Sequence, residues 1–217
     1  PDYTDAHSNL GSILKDLGKL QEAELSLRKA IQINPDNAIS HSNLGNILKD
    51  LGQLKDAEVS SRKAIQLNPN LAEAHSNLGT ILRDLGKLKD AELSLRKAIQ
   101  IKPDFAVAHC NLGNTLRDLG KLKDAELSTR KAIELKPDFA EAYYNLGNVL
   151  RDLGKLKDAE LLYRKAIAVK PDYADVHYNQ GVILSDLAKY KEAELSYRKA
   201  IELKPDFAEA HSHLGTI

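Results

Sequence analysis

Six histidines stand on one register: His7, His41, His75, His109, His177 and His211, with Tyr143 in the place between the fourth and the fifth. Imidazole can bind a metal ion or move a proton near neutral pH, but a metal site needs several ligands around one ion. One ring every 34 residues leaves neighbours about 8–10 Å apart if each sits on its own helix. That is too far to share an ion, so the row reads as packing. Serine and aspartate abound, yet no nucleophile elbow, HExxH, phosphate loop or GxGxxG is present. Cys110 is the single cysteine, which excludes a disulfide framework and a cysteine metal cluster. It fills a slot that serine takes elsewhere and is expected to be solvent-accessible. No catalytic residue, cofactor or metal is therefore expected.

The second recurrent polar type is asparagine, at Asn9, Asn43, Asn77, Asn111, Asn145 and Asn179, with a looser set at Asn46, Asn114 and Asn148. Asparagine is a mediocre helix former, yet everything around it reads as helix. All seven prolines fall at the 34-residue interval from Pro1 to Pro205, and the glycines fall on two registers with the same interval. Placing proline at position 32 of the unit gives full repeats at 4–37, 38–71, 72–105, 106–139, 140–173 and 174–207, and a partial one at 208–217. Residues 1–217 form one array of these units. Each unit predicts two helices, over positions 1–14 and 18–31. Glycine at 15 ends the first in a left-handed cap, and proline at 32 stops the second. Such a hairpin cannot bury its apolar face alone but can do so by stacking on copies of itself.

At 100° per residue, Ala74, Leu78, Ile81, Leu82 and Leu85 form one stripe of the third unit's first helix. Positions 2, 5, 6, 9, 12 and 13 fall on an arc of about 120° opposite, which places Asn77 on the rim of the polar face. An asparagine amide both donates and accepts, so it can pair with a peptide's C=O and N–H. With helices about 8–10 Å apart and a strand rising about 3.3 Å per residue, one asparagine per repeat meets an extended peptide about every third residue. Recent duplication is the competing explanation for the row. Tyr144 and Tyr178 take position 5 in the fifth and sixth repeats and are expected beside Asn145 and Asn179, where tyrosine suits a binding hot spot; packing on a neighbouring repeat is their alternative. The acidic row Asp16, Asp50, Asp84, Asp118, Asp152 and Asp186 sits in last turns, where a negative charge costs about 0.3–1 kcal/mol. It calls for a basic partner, either the lysine three residues on, as with Asp84 and Lys87, or a basic residue of a neighbouring repeat.

The period and its anchors, in repeat three His75, Leu78, Gly79, Leu82, Ala91, Leu95, Ala98 and Pro103, resemble the tetratricopeptide repeat (TPR) family over essentially the whole chain. Departures are histidine for tryptophan at position 4, Ser61 and Thr129 at position 24, and Gln180 at position 7. The resemblance implies an all-α fold: an α-solenoid of antiparallel helix pairs wound as a right-handed superhelix, with first helices lining the concave surface. The phrase "AHSNLG" also resembles the TPR region of O-linked N-acetylglucosamine transferases, which implies that the six asparagines form a ladder for a substrate's main chain. The lysine and arginine pattern of chaperone-clamping TPR domains is missing. The expected function is that of a non-enzymatic scaffold binding extended protein or peptide. A substrate-recruiting arm of a larger enzyme, such as a protein glycosyltransferase, and an end-to-end self-assembly module are the alternatives.

Lysine plus arginine equals aspartate plus glutamate, 31 each, so no basic surplus points to nucleic acid or to an anionic membrane. No apolar run is long enough to span a bilayer. The lone thiol favours a cytoplasmic setting. The ends expose the surfaces that meet a neighbour elsewhere, from which head-to-tail self-association is expected.

Overall fold

The structure, a computed structural model, describes residues 3–217; Pro1, first of the proline register, lies outside them. Among the described residues there are thirteen α-helices and no strand, an all-α solenoid of antiparallel helix pairs. Contacts divide the chain into two compact units, Pro1–Asn111 and Leu112–Ile217. The first holds α1 (Thr4–Asp16), α2 (Leu20–Ile33), α3 (Ala38–Asp50), α4 (Leu54–Leu67), α5 (Ala72–Asp84) and α6 (Leu88–Ile101). The boundary falls inside α7 (Ala106–Asp118). The second unit holds α8 (Leu122–Leu135), α9 (Ala140–Asp152), α10 (Leu156–Val169), α11 (Ala174–Asp186), α12 (Tyr190–Leu203) and α13 (Ala208–Leu214).

In the first unit each odd-numbered helix packs on the even one after it, α2 packs on α3 and α4 on α5, and α3 also touches α1 and α5. In the second unit α9 pairs with α10 and α11 with α12, and α10 packs on α11.

The turn inside each pair follows from glycine. Gly86 has φ +74°; its N–H reaches the Arg83 carbonyl at 2.9 Å, and the Lys87 N–H reaches that of Leu82 at 2.8 Å. These two bonds make a Schellman cap. The cap is so short that α6 starts at Leu88, one residue before the expected position. At its far end Lys102 is extended, φ −131° and ψ 89°, because the ring of Pro103 excludes helical geometry from the residue before it.

A second glycine sets the packing distance within a pair. A Cβ on Gly79 would lie 2.5 Å from Leu95 Cγ, closer than two carbons can approach, so α5 and α6 meet at a distance only glycine permits. Of the expected core stripe, Ala74, Leu78, Ile81 and Leu82 are buried and Leu85 is half-buried.

The histidines hold the joint between pairs. A carbonyl only accepts, so each ring donates from Nε2: His41 to Pro35 O at 2.9 Å, His75 to Pro69 O at 3.0 Å and His109 to Pro103 O at 3.0 Å. In the second unit His177 reaches Pro171 O at 2.8 Å and His211 reaches Pro205 O at 2.9 Å. In these five first helices position 4 ties the helix to the turn that introduces it.

Candidate functional site

The asparagine row divides by environment. Asn9 is exposed; Asn43, Asn77, Asn111 and Asn179 are half-buried; Asn145 is buried. In the first unit the amide nitrogens of Asn43 and Asn77 face the preceding first helix. Asn77 Nδ2 donates to Ser42 Oγ at 3.1 Å and lies 3.4 Å from Ser42 O. Because that carbonyl can only accept, the amide is oriented with its nitrogen inward. Asn43 Nδ2 points the same way, to Ser12 Oγ at 3.4 Å. Neither Oδ1 has a hydrogen-bond partner among the described residues. Asn43 and Asn46 share a shallow cleft of about 90 Å³ with Ser12, Lys15 and Asp16.

The sixth rung is closed. Asn179 Nδ2 donates to Tyr144 Oη at 3.0 Å and to Asp175 O at 2.9 Å, and its Oδ1 accepts from Arg151 Nη1 at 2.9 Å. Both amide hydrogens are engaged. Asn148 is buried and accepts from the Tyr163 hydroxyl at 2.8 Å; Asn114 is half-buried.

Position 5 departs from expectation. Helical spacing puts it on the polar arc, yet Ser42 is 2% and Cys110 0% exposed, so the thiol is not accessible. The cause is the stack. A first helix is flanked by other first helices as well as by its own partner, and position 5 faces that flank, as the Ser42–Asn77 bond shows. Tyr144 and Tyr178 are half-buried for the same reason. Tyr144 lies 5.3 Å from the Tyr173 ring and Tyr178 4.9 Å from the Phe207 ring, both contacts with the chain that leads into the following repeat. Burial pushes the Tyr178 hydroxyl above its ordinary pKa.

Two members of the acidic row are paired across repeats. Lys15 reaches Asp50 at 3.2 Å and Arg117 reaches Asp152 at 2.5 Å; in both the base stands one repeat earlier at position 12. The expected Asp84–Lys87 pair does not form. Lys87 turns to Glu58 at 2.7 Å, while Asp84 takes Arg83 at 3.2 Å. Glu58, held also by Arg62 at 2.8 Å, has its pKa lowered, first by the Lys87 hydrogen bond. Glu126 has the same arrangement with Arg130 and Lys155. Its burial opposes ionisation, but the two hydrogen bonds and charges outweigh it and lower the pKa.

No three of His, Cys, Asp or Glu converge as a metal site among the described residues, and no helix among them is long and apolar enough to cross a membrane. Asn43 and Asn77 present two amide oxygens one repeat apart. The sequence reading missed Ser42 and Arg151 as partners of the row. The signal was present, since serine or tyrosine stands one place before asparagine in most repeats, but its meaning needs the neighbouring helix.

Models of the TPR repeat match residues 11–52, 45–82, 79–120 and 113–154, and a tetratricopeptide repeat model matches 140–173 and 174–207. No curated protein matches the chain. Among solved structures, YrrB, a TPR protein with an unusual peptide-binding site, is 27% identical, with a TM-score of 0.62 over 88% of this chain and 98% of its own. A thermophilic TPR protein of Thermus thermophilus is 23% identical, with a TM-score of 0.75 over 83% of this chain and 98% of its own. The type IV pilus biogenesis factor PilW is 20% identical, with a TM-score of 0.86 over 99% of each chain. The last two speak to fold alone.

Proposed function

The chain belongs to the tetratricopeptide repeat family, whose members are generally protein-interaction modules, and on that premise we propose that its first-helix face holds an extended polypeptide by the main chain. On this reading it is a scaffold that binds rather than an enzyme. The observation that carries it is the half-used amide of Asn43 and Asn77: each nitrogen is anchored on the preceding helix and each oxygen has no partner among the described residues. An anchored amide loses little further rotamer freedom when a ligand arrives, and an acceptor is what a peptide N–H requires. The peptide therefore meets these residues through Oδ1 alone, one contact per repeat. YrrB, related at 27% identity, carries a peptide-binding site, which favours the same class of ligand here. Asn179, with its amide engaged, contributes stability and no rung.

A peptide selected by display against the whole chain tests the reading. N-methylation of single backbone nitrogens should weaken binding about tenfold at positions roughly three residues apart, each lost contact being about 1–1.5 kcal/mol. Binding indifferent to N-methylation at every position would refute it.

A further inference from the structure

The second helices carry a pattern that the asparagine face does not use. Position 22 is Leu25, Val59 and Leu93 in the first unit, and all three are exposed, Val59 and Leu93 to 67%. The same position is Leu127, Leu161 and Leu195 in the second unit, again exposed. Four residues to either side stands lysine: Lys55 and Lys63 about Val59, Lys89 and Lys97 about Leu93. Residues at i, i+4 and i+8 share a helix face, so α4 and α6 each present an apolar side chain between two cations, while Leu25 of α2 has Gln21 on one side and Lys29 on the other. The chain's net charge is zero, but this surface is locally basic.

Beside these residues lie two clefts of equivalent construction. One, of about 470 Å³, runs between α2 and α4 over α3; Ile31, Leu44 and Val59 give its apolar surface and Arg28 and Lys63 its charge. The other, of about 440 Å³, runs between α4 and α6 over α5, with Ile65, Leu78 and Leu93 apolar and Arg62 and Lys97 charged. No residue lining either cleft is acidic. Arg28 and Arg62 are held by Glu24 and Glu58 one turn earlier. Lys63 has no ion-pair partner among the described residues, and Lys97 meets only the neutral Gln100. The lysines therefore supply the unanswered charge.

We propose that this face of the first unit docks an acidic polypeptide that seats two apolar side chains in the two clefts, with its carboxylates against Lys63 and Lys97. The clefts are of ligand-pocket size and lie on either side of α4, so one extended chain crossing that helix can reach both. Recessed apolar sites suit side chains better than a flat bilayer surface. Charge complementarity selects the partner and makes its binding salt-dependent.

The test uses the whole chain and three probes: a labelled glutamate-rich peptide carrying two leucines, made as a series in which their separation is varied, the same series with lysine for glutamate, and vesicles of phosphatidylserine in phosphatidylcholine. Fluorescence anisotropy should show binding of the acidic peptide that weakens with salt, and about tenfold or more with Val59→Glu plus Leu93→Glu. Lys63→Glu plus Lys97→Glu, which leaves the cleft floors intact, should act alike. Asn43→Ala plus Asn77→Ala should change nothing, which separates this face from the first-helix reading. Equal binding of the lysine peptide, binding unaffected by both charge variants, or vesicle binding without peptide binding would overturn the proposal.

Discussion

Asn77 donates its amide hydrogen to the hydroxyl of Ser42, 3.1 Å away and 35 residues earlier. The bond joins α5 to α3 and gives the recurrent asparagine a structural duty alongside any binding one. Asn77→Ala should therefore cost about 1 kcal/mol, more than the helix-propensity gain of alanine returns. Ser42→Ala should cost about the same. In a double-mutant cycle by urea unfolding the two should couple by about 0.5–1 kcal/mol. Additive effects would mean that the bond contributes nothing to the stack.

Ala188 occupies the turn position that glycine takes in the other pairs, and it does so at φ +58°. A Cβ costs about 1–2 kcal/mol in that region. At the five glycine turns an added Cβ would meet nothing within 4 Å, so the cost at Ala188 is conformational rather than steric. Ala188→Gly should raise stability by about 1 kcal/mol, with the transition midpoint in thermal unfolding moving up. An unchanged or lower midpoint would contradict the assignment.

Much of the fold was legible because its punctuation is chemical. Pro103 and Gly86 act through their own backbones, and Ala74, Leu78 and Ile81 through a period that any amphipathic helix shows. Ser42 and Cys110 were misplaced because a helical wheel assumes one buried side, whereas α3 has α4 on one side and α1 and α5 on its flanks. Of the two partners expected for the acidic row, the basic residue of a neighbouring repeat holds at Asp50 and Asp152, whereas Lys87, offered to Asp84 by sequence distance, meets Glu58 once α4 packs on α5. Leu93 attracted no notice because one exposed leucine is ordinary; only the clefts beside it and its recurrence in each repeat give it meaning.

Ser61 stands where repeats one and three have leucine, buried against Gly45 with no hydrogen-bond partner for its hydroxyl. Thr129, the equivalent residue of the fourth repeat, satisfies its own hydroxyl on the Ala125 carbonyl at 2.8 Å. Ser61→Ala should thus raise stability by about 1 kcal/mol in urea unfolding, since it removes an unsatisfied buried polar group. Thr129→Ala should lower it by a similar amount through lost packing. A destabilising Ser61→Ala would show that the hydroxyl has a partner.

Glu58 is ionised below its ordinary pKa of 4.5 because Lys87 and Arg62 bond the carboxylate in the folded state. A folded pKa below the unfolded one gives stability that is present above about 4.5 and is lost as pH falls through the folded value. The wild-type chain should lose about 0.5–1 kcal/mol at this site on acidification. Glu58→Gln should be weaker at neutral pH and should flatten that part of the profile. A pH profile unchanged by Glu58→Gln would mean that the bridge carries no net energy.

The asparagine face is tested most directly by titrating a display-selected peptide against wild type and Asn43→Ala plus Asn77→Ala, with circular dichroism confirming that both are folded. Loss of two amide acceptors should weaken binding about ten- to a hundredfold, while Asn179→Ala, at the closed rung, should leave affinity within about twofold. A folded double variant that binds as tightly as wild type would contradict main-chain recognition by the asparagine row.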